Sequence, residues 1–81
     1  MNKYLITGGA GFIGSSVVRT LINSGNCKVL NIDALTYAGN LENLSSVDSN
    51  ENYLFQKINI TDIDEVERVI QQFEPDFIMH L

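Results

Sequence analysis

Short apolar runs alternate along the chain with stretches whose apolar positions recur at helical spacing. Lys3-Tyr4-Leu5-Ile6-Thr7 is apolar and stops at glycines, as a buried parallel strand does. From Ile13 onward the apolar positions are Ile13, Val17, Val18, Leu21 and Ile22, which form one stripe on a helix, and Gly25 followed by Asn26 is a C-terminal stop. Lys28-Val29-Leu30-Asn31-Ile32-Asp33 predicts a second strand. Residues 34–52 are polar and irregular, with Leu41, Leu44 and Val47 enough for a short helix. Tyr53 to Asn59 predicts a third strand. Thr61 predicts the N-cap of a second full helix, with acidic Asp62, Asp64 and Glu65 in the first turn, where the helix dipole favours them. Its stripe is Ile63, Val66, Val69, Ile70 and Phe73, and Pro75 closes it. Asp76 to Leu81 predicts a fourth, buried strand.

The pattern β-α-β-(short α)-β-α-β implies an α/β fold with a parallel sheet and right-handed crossovers. A doubly wound arrangement predicts the spatial order 3-2-1-4. Strand four then has an open edge where further strands normally pair, an aggregation liability, so the chain is expected to be truncated after about four strands.

Bulk properties narrow the partners. The chain has 81 residues and a net charge of −5. A chain of this size buries only about 60% of the surface it exposes when unfolded. The basic residues Lys3, Arg19, Lys28, Lys57 and Arg68 stand singly, with no stripe to follow a phosphate backbone, so nucleic acid is not an expected partner. The acidic excess argues against an anionic membrane surface, and no apolar stretch approaches a membrane span. Cys27 has no second cysteine to pair with, and no base stands beside it in sequence. It is expected to be an inert packed residue in a reducing cytoplasm.

Gly8, Gly11 and Gly14 form G-x-x-G-x-x-G between the first strand and the first helix. Gly8 permits a sharp turn off the strand, Gly11 brings backbone N–H groups close to a pyrophosphate, and Gly14 allows close packing of the helix on the sheet. The helix N-terminus adds unpaired donors and a partial positive charge. Glycines alone also fit a tight β-to-α turn in an unrelated α/β protein. The acidic Asp33, closing strand two roughly 20 residues after the last glycine, completes the dinucleotide fingerprint. Asp33 accepts from the ribose hydroxyls of adenosine and repels a 2′-phosphate, and Ala34 follows where an NADP site more often offers arginine. The residues therefore predict a Rossmann-type doubly wound domain that binds NAD.

Thr7-Gly8-Gly9-Ala10-Gly11-Phe12-Ile13-Gly14 resembles the loop of the extended short-chain dehydrogenase/reductase superfamily. The segment Asp33-Ala34-Leu35-Thr36-Tyr37-Ala38-Gly39-Asn40-Leu41-Glu42-Asn43-Leu44 more narrowly resembles the dTDP-glucose 4,6-dehydratases, as does Pro75-Asp76-Phe77-Ile78-Met79-His80-Leu81. The resemblance covers the whole chain and the first quarter or so of a family member. It implies the N-terminal part of an NAD-binding domain over residues 1–81, without the substrate domain. It also implies a lyase that oxidises a nucleotide sugar at C4, eliminates water across C5 and C6, and returns hydride to C6. Carried over, the cofactor contacts are Gly8, Gly11, Phe12, Ile13 and Gly14, then Asp33, Ala34, Leu35 and Thr36, with Asn59 and Ile60 at adenine and Leu81 toward the nicotinamide. The family usually has Asp-Ile where this chain has Asn59-Ile60. Asn59 is expected to accept from the adenine amino group through its amide oxygen, without the charge that strengthens such a bond.

Other candidates carry less. Tyr53-Leu54-Phe55-Gln56-Lys57 reproduces the superfamily's catalytic Tyr-x-x-x-Lys spacing, but in a predicted strand its ends lie about 13 Å apart, against about 6 Å on a helix. His80 is expected to be packed or hydrogen-bonded at a strand end rather than an acid or base. Asp62, Asp64, Glu65 and Glu67 suit a solvated helix start better than a metal site. Tyr37 fits either the adenosine pocket or a surface loop. No catalytic residue is expected within the chain, and a nucleotide sugar is a partner only of a complete protein. A related nucleotide-sugar epimerase or dehydratase, and a dinucleotide-binding module without catalysis, remain as alternatives.

Overall fold

Neighbouring strand residues point to opposite faces of a sheet, and the apolar runs here are apolar at both parities, so each face needs a cover. A computed structural model describes residues 1–35 and 41–81. The strands β1 (Asn2–Thr7), β2 (Cys27–Ile32), β3 (Tyr53–Gln56) and β4 (Phe77–His80) form one parallel sheet in the order β3-β2-β1-β4. This is the Rossmann-type order expected from the alternation of elements. Helix α1 (Phe12–Asn23) and a 3-10 turn (Leu41–Leu44) accompany one apolar cluster, in which Ile6, Val29 and Tyr53 meet Val18, Ile22, Leu44 and Val47. Helix α2 (Ile63–Phe73) supplies Val69 and Phe73 to a second cluster with Leu5, Leu30, Ile32 and Ile58. Leu5 and Ile6, adjacent in β1, fall in different clusters, as alternation requires.

Several expected boundaries move, each for a local reason. Helix α1 begins at Phe12, one residue earlier than the apolar stripe suggests, because Gly11 serves as N-cap. Gly25 follows the helix at φ +79, the left-handed conformation its type favours, and donates its N–H to Ile22 O. Strand β3 ends at Gln56 rather than Asn59, since Asn59 is taken into a turn whose carbonyl accepts from the Asp62 N–H. The N-cap of α2 is Asp62, not Thr61: the Asp62 carboxylate accepts from the Glu65 N–H, while the Thr61 hydroxyl is committed to Asn59. Glu65 pairs with Arg68 at 2.6 Å, and that partner holds its carboxyl below the ordinary glutamate range. The acidic segment is thus a capped, exposed helix start. Strand β4 is not buried as expected. Among the described residues it pairs with β1 alone, and Phe77 and Ile78 are about half exposed.

Candidate functional site

All four strands are parallel, so their carboxyl ends share one edge of the sheet, where ligands of open α/β sheets bind. At that edge Gly8 takes φ +76 as β1 ends, and its N–H donates to Ile32 O at 3.0 Å, tying the turn to β2. Gly11 N–H closes the turn on Gly8 O, and Gly11 caps α1 without a side chain. The first helical hydrogen bond runs from Ser15 N to Gly11 O. The N–H groups of Phe12, Ile13 and Gly14 therefore have no acceptor among the described residues, and they stand at the positive end of the helix dipole. A Cβ on Gly14 would collide with the carbonyl oxygen of Gly8. Gly14 thus lets the helix press against the backbone of Gly8 and Gly9, in the loop that leaves β1. These free donors and close approaches fit a pyrophosphate.

Side chains of β2 hold the loop from below. Asn31, fully buried, accepts the Gly9 N–H on Oδ1 at 2.9 Å and donates through Nδ2 to the Tyr53 hydroxyl at 3.3 Å. A Cβ on Gly9 would strike the Asn31 carboxamide, so a fourth glycine, absent from the expected pattern, is also required. Asp33, 3% exposed, accepts from Ala10 N at 3.0 Å on one oxygen and from Leu35 N at 2.8 Å on the other. Leu35 bends away at φ 58. Asn43, in the 3-10 turn, donates to Ala10 O at 3.2 Å, and its own carbonyl accepts from Arg19 at 2.7 Å. The loop is therefore anchored to β2, to β3 through Tyr53, and to the segment after residue 40. Asn31 was not among the expected residues; the signal that could have marked it is a polar residue inside an otherwise apolar strand run.

Two adjoining clefts sit on this scaffold and share Gly8 and Leu81. One, of about 220 Å³, is walled by Ile32, Asp33, Ala34, Ile58, Asn59 and Ile60, with Thr7 and His80 at its other end. The other, of about 360 Å³, is walled by Gly8, Gly11, Phe12, Ile13, Gly14 and Leu81. Phe12 is 89% exposed and Ile13 70%. The residues expected at a cofactor are thereby brought together, except Leu35, which lines neither cleft and meets Asp33 through its N–H. Thr36 and Tyr37 lie outside the described residues.

Thr7 and His80 are additions to the expected set. Thr7 Oγ1 and His80 Nδ1 are 2.6 Å apart, so His80 is hydrogen-bonded as expected, but it is exposed at the cleft rather than packed. Asn59 Oδ1, the atom expected to meet adenine, accepts from both the N–H and the hydroxyl of Thr61. Tyr53 is buried in β3 with its hydroxyl on Asn31, and Lys57 lies beyond the end of that strand. Burial foremost pushes the Tyr53 hydroxyl above the ordinary tyrosine value, the opposite of what a tyrosine acting as base needs. Cys27 is buried, with its sulfur on the Ser24 hydroxyl. No helix among the described residues is long and apolar enough to cross a membrane.

Residues 5–81 match the family described as GDP-mannose 4,6 dehydratase. The dTDP-glucose 4,6-dehydratase of Neisseria meningitidis serogroup B is 53% identical over 81 residues, all of this chain and 23% of that protein. The enzyme of the same name from Salmonella typhimurium is 53% identical over 79 residues, 98% of this chain and 22% of its own length. The crystal structure of dTDP-glucose 4,6-dehydratase from Bacillus anthracis in complex with NAD superposes with a TM-score of 0.95 at 40% identity, covering 100% of this chain and 26% of that one. The chain thus spans about a quarter of the length of these relatives.

Proposed function

The chain belongs to the GDP-mannose 4,6 dehydratase family, and from that membership we propose that residues 1–81 are the NAD-binding part of a dTDP-glucose 4,6-dehydratase-like lyase. One observation carries the reading: the acceptor-free amides belong to Phe12, Ile13 and Gly14, which line one cleft, and the buried carboxylate to Asp33, which lines an adjoining cleft sharing Gly8 and Leu81 with the first. The amides bind the pyrophosphate, Asp33 holds the adenosine ribose and repels a 2′-phosphate, and Ile32, Ala34, Ile58 and Ile60 flank the base. Phe12, Ile13 and Leu81 form an apolar wall that keeps water from the nicotinamide side. When bound, NAD supplies a hydride acceptor for oxidation at sugar C4 and a hydride donor to C6 once water has left across C5 and C6. No residue of the chain is assigned to proton transfer in that reaction. The sugar nucleotide is a partner of the protein with its substrate-binding part. The single buried Cys27 and the scattered basic residues suit a cytoplasmic protein with neither nucleic acid nor membrane as partner.

Titration calorimetry with NAD and NADP tests the reading. Binding of NAD at least about tenfold tighter than NADP is expected, with the gap narrowed by Asp33→Asn. Equal binding of the two, or none, would contradict it. For the protein at its native length, conversion of dTDP-glucose to its 4-keto-6-deoxy product tests the reaction class.

A further inference from the structure

Asn59 stands in the wall of the nucleoside cleft between Ile58 and Ile60, and Thr61 dictates how its carboxamide is turned. The backbone N–H of Thr61, which can only donate, is 3.0 Å from Asn59 Oδ1. The Thr61 hydroxyl reaches the same oxygen at 2.8 Å. Flipping the amide would set N–H against N–H, so donor chemistry fixes the oxygen toward Thr61. Both lone pairs of that oxygen are then used. The amide nitrogen has no protein partner among the described residues, and it is the polar atom Asn59 has left for a ligand.

The ribose belongs at Asp33, at the end of β2, so the base lies toward the residues that follow β3. Turned with its 6-position toward Asn59, adenine would bring an amino group, a donor, against the Asn59 amide, also a donor. A 6-oxopurine would bring an acceptor at the same place. An aspartate at position 59 would keep one oxygen for Thr61 and offer the second to a 6-amino group. We propose that Asn59 abolishes the cleft's preference for adenine, so that a dinucleotide carrying a 6-oxopurine binds at least as well as NAD. The inference rests on the groove being a dinucleotide site and concerns only which base that site selects.

The measurement is calorimetric affinity for NAD and for nicotinamide hypoxanthine dinucleotide, on the protein at its native length and on Asn59→Asp. The unaltered protein is expected to bind the hypoxanthine form at least as tightly as NAD. Asn59→Asp is expected to move the ratio about tenfold toward NAD, the size of one hydrogen bond gained in place of a donor clash. Each ratio is internal to one protein, so a change in stability leaves it interpretable. A preference of the unaltered protein for NAD beyond the error of the measurement, or an unmoved ratio in Asn59→Asp, would overturn the inference while leaving the cofactor reading intact. Failure of both dinucleotides to bind would overturn the two together.

Discussion

Gly9 is the residue whose role is least visible from glycine spacing, because what it needs lies 22 positions away. Its N–H is held by Asn31 Oδ1, and the carboxamide leaves no room for a Cβ. Asn31 is buried and tied to Tyr53, so it cannot swing aside. Gly9→Ala is therefore expected to push the loop off β2 and to cost about 1–3 kcal/mol, the usual penalty for overfilling a packed site. Thermal melting should show the loss and calorimetry a weaker grip on NAD. Gly25→Ala is the control: its Cβ meets nothing, only the φ of +79 is disfavoured, and about 1–2 kcal/mol should be lost with NAD affinity kept. Matching losses of affinity in both variants would show that Gly9 has no special part in the loop. At this scale the glycines at 8, 11 and 14 and the carboxylate at 33 were legible, since each belongs to a local pattern. The contacts of Gly9, Asn31 and Asn43 were not, since each joins residues distant in sequence.

Elements were legible wherever periodicity was long, and misread where two adjacent residues competed for one role. Thr61 and Asp62 are both good caps. The turn at Asn59 captures the Thr61 hydroxyl and leaves Asp62 to accept from Glu65. The far end of α2 carries a similar compromise. Glu74 sits at φ 53, donates its N–H to Ile70 O at 2.9 Å and precedes Pro75, which disfavours right-handed helical backbone at the residue before it. A left-handed glutamate is strained where glycine is not. Glu74→Gly is thus expected to stabilise the fold by up to about 1 kcal/mol, after allowing for the greater freedom of glycine in the unfolded chain. For a domain of this size that is a rise of about 4–8 °C in melting temperature per kcal/mol. An unchanged or lower melting temperature would mean that the backbone at 74 relaxes without help. The burial of β4 was misjudged for a related reason: an apolar run such as Phe77-Ile78-Met79 reports what a strand prefers, not what lies beside it.

The candidate site lies on one edge of the sheet, and that follows from topology. Four parallel strands joined by crossovers must end on the same side, so Gly8, Asp33, Asn59 and Leu81 converge although 73 residues separate the first from the last. The radius of gyration of 11.5 Å is close to the about 11.7 Å expected of a compact domain of this length, so the sheet and its covers pack as a globular unit. Two adjoining clefts make up the candidate site, one beside Asp33 and one at the start of α1, and ligands cut to fit one should mark it separately. Adenosine carries no phosphate and reaches only the first. On the proposed binding mode ADP would set its phosphates on the amides of Phe12, Ile13 and Gly14, which have no protein acceptor among the described residues. Hydrogen exchange is therefore expected to slow at those three amides with ADP and not with adenosine, at concentrations that saturate each. A ligand held at 100 times its dissociation constant stabilises the fold by about 2.7 kcal/mol whatever its identity, so matched saturation separates local protection from general stabilisation. Equal protection by the two ligands would place the phosphates elsewhere and leave the helix start without a binding role.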